Sequence, residues 1–131
     1  MKKIFLNWLA VILWLGVIYY FSSQPDLKSE LAPAWDLVFR KIAHLAEFFV
    51  LAYFFFRAYR SLNLSIGRSL FLAFVFSLVY AFFDEWHQSL VVGRSSSLID
   101  VGIGSLGILI FVILSLLNKQ KNSFLLKSKA I

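Results

Sequence analysis

The sequence predicts an all-α protein: a bundle of four transmembrane helices, both termini cytoplasmic, with a short interfacial helix before the second span. Three observations lead there. Of 131 residues, 60% are hydrophobic and only 15% charged, too apolar for a water-soluble domain of this length, so lipid must solvate most side chains. Four apolar runs each approach the roughly 20 residues that a bilayer core demands of a helix. The charges between those runs are sorted by sign.

The first run, Ile4 to Phe21, has Asn7 as its only strongly polar member. It is long, and the following YYFSSQP has no small-residue cleavage site, so an uncleaved helix is expected rather than a signal peptide. Ser22, Ser23 and Gln24 close it. The second run begins at Val38 or Ile42, ends near Tyr59 and contains His44 and Glu47; Ala34 to Lys41 is expected to form the interfacial helix. The third runs from about Ser65 to Phe83 and the fourth from Leu98 to Leu117. Residues 1–118 are read as the transmembrane domain and 119–131 as a basic cytoplasmic tail. The four lysines of that tail have no acid among them, and each contributes about 1 kcal/mol near an anionic leaflet. Tyr19, Tyr20, Trp35, Tyr59 and Trp86 fall near helix ends, where interfacial aromatics belong.

Cysteine is absent, which excludes disulfides, thiolate zinc sites and a Cys nucleophile. The net charge of +6 does not indicate nucleic acid, because the basic residues cluster at the ends of apolar runs. Four spans place Lys2, Lys3, Arg57, Arg60, Arg68, Lys119, Lys121, Lys127 and Lys129 on one side, nine basic residues against four on the other. The positive-inside rule makes the richer side cytoplasmic. All seven acids and both histidines lie in or near the two outward connections. Asp26, Glu30 and Asp36 read as solvated loop charges. Glu47, Asp84, Glu85 and Asp100 do not, since they fall within helices or at their ends, where an ionised group costs at least about 2.5 kcal/mol at mid-helix and less near the interface.

Spacing gathers these residues. His44 and Glu47 share a face of the second helix at i, i+3, about one turn from its outer end. Asp84, His87 and Gln88 follow i, i+3, i+4, and Glu85 reaches Gln88 at i+3. Gln88 alone carries no signal. Asp100, Gly104 and Gly107 form one stripe, and its small residues permit close helix approach. Arg94 lies in a Gly-Arg-Ser-Ser-Ser turn, and its fork suits a carboxylate or phosphate. Arg40 and Lys41 stand ready to meet a phosphate too. Each group also has a structural reading: His44 with Glu47 as a tie between helices, and Arg94 as a salt bridge closing its loop. There is no H-E-x-x-H motif. The donor types suit zinc, manganese or iron better than calcium, yet no residue is assigned as a metal ligand and no cofactor is specified.

Glu85-x-x-Gln88, Gly93-Arg94 and Asp100, with HLAEFFVLAYF and FSSQP, resemble the conserved pattern of VanZ-like membrane proteins over about residues 18 to 110. Val92 departs from the proline often found there, and Gly104 stands where many members carry Asp or Asn. The resemblance implies a small multipass protein of the bacterial cell membrane. It also implies an association with the cell envelope and with resistance to teicoplanin, a lipid-tailed glycopeptide. The family supplies no settled reaction. Glu85, Gln88, Arg94 and Asp100 carry over, with His44 and Glu47 less directly.

Three functions compete. In an enzyme, Arg94, Arg40 and Lys41 hold the anionic head of a lipid-linked cell-wall precursor or lipoglycopeptide, with Gln88, Asp100 and Gln24 beside them. Glu85 or Glu47 is then the base and His44 or His87 its acid partner or nucleophile, near Asp84. In a binder or modulator, the same groups confer affinity without turnover. An ion carrier ranks last, because only Asn7 and Ser77 mark the inner half with polarity.

Overall fold

The structure, a computed structural model, describes residues 1–25, 33–94 and 96–128. Among them the chain forms four helices and no strand: α1 (Lys2–Ser22), α2 (Pro33–Ser61), α3 (Ile66–Leu90) and α4 (Leu98–Ser128). Asp26, Lys28, Glu30 and Lys129, which the sequence reading assigned to loops and tail, lie outside the described residues.

α1, α3 and α4 are long and apolar enough to cross a membrane. α2 is not among them; its first half carries Asp36, Arg40, Lys41, His44 and Glu47. The short interfacial helix does not stand apart. Ala34 to Lys41 forms the opening turns of one continuous 29-residue helix, with Pro33 at its first position, where a missing N–H costs nothing. His44 is therefore about three turns from the start of α2 rather than one. Asp36, read as a loop charge, sits in the first turn of α2 and pairs with Arg40 at 3.2 Å, an i, i+4 pair at the helix end that favours an acid.

α2 is the hub of the packing: it meets α1, α3 and α4, while α1 and α4 do not touch among the described residues. Its inward face is Phe48, Leu51, Ala52, Phe55 and Ala58, all buried at helical spacing. Val11 and Ile18 of α1, Leu70, Ala73 and Ala81 of α3, and Val101, Ile108 and Phe111 of α4 complete the core. Tyr59 belongs to this core and not to a helix-end belt: it is 8% exposed and meets Trp8 edge-to-face at 5.4 Å. Tyr20, Trp35 and Trp86 remain exposed near helix ends. Phe5, Ile12, Phe71, Val79, Ile113 and Leu114 are among many large apolar side chains facing outward, the distribution expected when lipid replaces water.

The glycine stripe on α4 sets the α2–α4 distance. A Cβ at Gly104 would come within 3.0 Å of the Phe48 ring, and one at Gly107 would collide with the Leu45 carbonyl. Backbone therefore meets backbone at Gly107, the small-residue contact on which packing in lipid depends. Among the described residues two turns use left-handed backbone: Asn63 at φ 61°, between α2 and α3, and Gly93 at φ 79°, after α3. Asn tolerates this region better than most residues and Gly occupies it without strain.

Gly107→Ala is expected to lower unfolding stability by about 1–3 kcal/mol. Gly102→Ala, which places its Cβ in open space, should change little. Thermal unfolding in detergent, followed by helical circular dichroism, compares the two.

Candidate functional site

At the end of the bundle where α1 stops and α2 begins, side chains from every helix converge. The centre is Gln88, 3% exposed on the last turn of α3. Its amide nitrogen donates to Asp84 Oδ2 at 2.8 Å and to Ser22 Oγ at 3.2 Å. Its carbonyl oxygen accepts from Arg94 Nε at 3.2 Å. A carboxylate only accepts and a guanidinium only donates, so this amide orientation is the one chemistry permits. Asp84 is 2% exposed, and its other oxygen accepts from the Ser22 hydroxyl. Arg94 also donates to the carbonyls of Phe21 at 3.0 Å and Gln24 at 3.1 Å. The first belongs to the last turn of α1 and the second lies just beyond its end. Gly93, with its positive φ, turns the chain so that Arg94 reaches back to them.

Glu85 does not reach Gln88. It is 7% exposed, one oxygen accepts from the Ser97 backbone N–H at the start of α4, and the other has no partner among the described residues. His87 lies elsewhere: its Nε2 is 3.0 Å from Ser23 Oγ and its ring stacks on Tyr19 at 4.4 Å. Neither residue lines the adjoining cavities described next.

Those cavities open between α1, α2 and the α3–α4 connection. One, of about 360 Å³, is walled by Ser22, Gln24, Arg40, His44, Glu47 and Arg94. The other, of about 80 Å³, is walled by Leu37, Arg40, Lys41, His44, Gln88, Arg94 and Asp100. They share Arg40, His44 and Arg94 and form one cleft. Lys41 pairs with Asp100 across it. His44 Nε2 is 3.0 Å from the Asp100 carbonyl and Nδ1 is 3.7 Å from Glu47 Oε2. A carbonyl cannot donate, so Nε2 carries the proton and Nδ1 faces Glu47.

Of the ten residues singled out from sequence, Gln24, Lys41, His44, Glu47, Gln88, Arg94 and Asp100 line the cleft, while Asp84, Glu85 and His87 brace it from behind. Two contributors escaped sequence reasoning because they act through backbone: the Ser97 N–H and the Phe21 carbonyl. Ser22, in contrast, carried a signal, as the polar residue ending an apolar run. Among the described residues no group of three His, Asp or Glu side chains is placed to hold a metal ion.

Apolar outer helix faces around a polar, hydrogen-bonded cup at one end define a helical protein of membrane type. The sequence profile of the VanZ/LLP1 family matches residues 5–119, and the chain belongs to that family. Searches of curated proteins and of solved structures find no match.

Gln88→Leu keeps the volume but leaves the Asp84 oxygen and Arg94 Nε without their partner. It should destabilise the fold by about 2–4 kcal/mol and raise hydrogen exchange at the end of α1 and in the Arg94 turn. Thermal unfolding with exchange mass spectrometry checks both.

Proposed function

We propose that all four helices span the bacterial plasma membrane with both termini in the cytoplasm. The cleft at the outer leaflet then binds the anionic head of a lipid-linked or lipid-tailed molecule. The observation that carries this is the wall of the cleft: Arg40, Lys41 and Arg94 surround a cavity whose lining also includes the exposed apolar side chains of Leu37 and Phe21. A cup in which three cations outnumber the carboxylates of Glu47 and Asp100, beside lipid-facing hydrocarbon, matches an amphiphile, with the head held by charge-assisted hydrogen bonds and the tail left in the bilayer. The orientation rests on nine basic residues against four. On this reading residues 1–118 are the membrane domain and the basic tail binds the inner leaflet, beginning with Lys119 and Lys121, which continue α4. A lipid-linked cell-wall precursor or a teicoplanin-type lipoglycopeptide has the required chemistry, and the family resemblance supports an envelope-resistance role.

One observation favours a catalytic version. His44 Nδ1 and Glu47 face each other within the same cavity, an arrangement able to take a proton from a bound hydroxyl or water. Asp84, Glu85, His87 and Gln88 then act as positioning residues, while Gln24 and Asp100 border the ligand.

Orientation is checked by cysteine labelling, which has no background in a chain lacking cysteine. Val92→Cys, at a side chain 94% exposed, should react with a membrane-impermeant maleimide in intact cells, and Leu62→Cys only after permeabilisation; the reverse pattern overturns the orientation. Function is checked in cells expressing the chain under teicoplanin challenge and by ligand binding to purified protein. Arg40→Gln and Lys41→Gln should each weaken binding of an anionic amphiphile about fivefold and reduce resistance in step. His44→Gln should leave binding intact; a drop in turnover of about 100-fold or more identifies an enzyme, and unchanged resistance a binder.

A further inference from the structure

The opposite end of the bundle holds a second polar cavity, of about 360 Å³, between the start of α1, the end of α2 and the α2–α3 turn. Its walls include Lys3, Asn7, Arg57, Arg60, Ser61 and Asn63. From its geometry and charge we infer that this cavity is a separate binding site for a phosphate-bearing anion, one that the outer cleft does not explain.

Four observations carry it. Three cations surround one cavity with no acid to neutralise them, since the sequence has no Asp or Glu in residues 1–25 or 48–83. The guanidinium of Arg57 lies over the Tyr53 ring at 5.5 Å, and Arg60 Nη1 donates to the Leu64 carbonyl. Both heads are thereby held in place, with donor N–H groups to spare for an anion. Asn7, the one strongly polar side chain in the apolar run of α1, lines the same cavity and has no hydrogen-bond partner among the described residues. An amide on a lipid-crossing helix wants such a partner. Asn63, held in left-handed backbone at the tip of the turn, presents a further amide to the same space.

A general preference for cations at cytoplasmic helix ends accounts for the count of basic residues. It does not account for their convergence with two asparagines and a serine around a space larger than a single water needs. A phosphate oxygen set satisfies all of them: paired oxygens for the arginine forks, one for the lysine, and acceptors for the amides. The source is either the headgroup of an anionic phospholipid or a free phosphate, and competition separates the two.

The test uses the full chain purified in detergent, with native mass spectrometry counting bound phosphatidylglycerol. Wild-type protein should retain phosphatidylglycerol more tightly than phosphatidylcholine. Arg57→Gln combined with Arg60→Gln should weaken that binding about 25-fold, at about fivefold per cation, and Arg57→Lys with Arg60→Lys should retain most of it. Because all three basic side chains are exposed, the helical circular dichroism should stay unchanged. Displacement by millimolar inorganic phosphate, lost in the double glutamine variant, assigns the pocket to the free anion; failure of phosphate to compete assigns it to the lipid. Equal phosphatidylglycerol retention by wild type and the folded double glutamine variant, or equal preference for phosphatidylcholine, overturns the inference.

Discussion

The polar end of the bundle, where α1 stops and α2 begins, depends on one amide placed between two opposite charges. Gln88 turns its carbonyl to Arg94 and its NH2 to Asp84, so its dipole lies along the field between them. A guanidinium and a carboxylate in direct contact would present a salt bridge that excludes other partners. With the amide between them, the Asp84 carboxylate stays deep in the bundle while Arg94 remains on the cavity wall. The arrangement spans three parts of the chain, because Ser22 of α1 and the carbonyls of Phe21 and Gln24 take the remaining valences. Buried polar groups in a low-dielectric setting stabilise only when the set is complete. Loss of one member leaves others desolvated and unmatched.

The cleft is the product of two different ways of joining helices. On the α4 side, glycine lets α4 lie against the backbone of α2, and Asp100 is thereby delivered to Lys41 and His44. On the α1 side, contact is supplied by reaching side chains: the Trp14 indole donates to the Glu47 carbonyl at 2.9 Å and the Tyr80 hydroxyl to the Leu15 carbonyl at 2.9 Å. Longer side chains leave space between helices, and the larger cavity lies on this side, walled by Phe21, Ser22 and Gln24. Gly104 sharpens the contrast. It sits 3.5 Å, measured from a built Cβ, from His44 Nε2. A longer polar residue at that position would meet the imidazole; here the Asp100 carbonyl does so instead.

Much of this was legible in the sequence, and for physical reasons. Lipid imposes a length and an apolarity on a helix, so α1, α3 and α4 announced themselves. The i, i+4 rule brought Asp84 and Gln88 together correctly. It also suggested Glu85 with Gln88, which fails because the Glu85 side chain turns to an N–H across the loop. Periodicity along one helix carries no information about an amide on the next. The same limit made Gln88 look inert, although its importance arises wholly from partners on other segments. Asp36 and Tyr59 were misplaced for a related reason: the limits of the apolar run were taken as the limits of the packed helix, while α2 starts earlier and packs further than its hydropathy implies.

The meeting of Gly107 with the Leu45 carbonyl has a mechanical consequence. Two helices already touching backbone to backbone have no compressible layer left, so they move as a single rigid post. α1 does not approach α4 among the described residues; it packs on α2 and α3 through Trp8, Val11 and Ile18 and through single side-chain hydrogen bonds. Of the walls of the cleft, α1 is accordingly the one joined by side chains, and the frame is the α2–α4 pair.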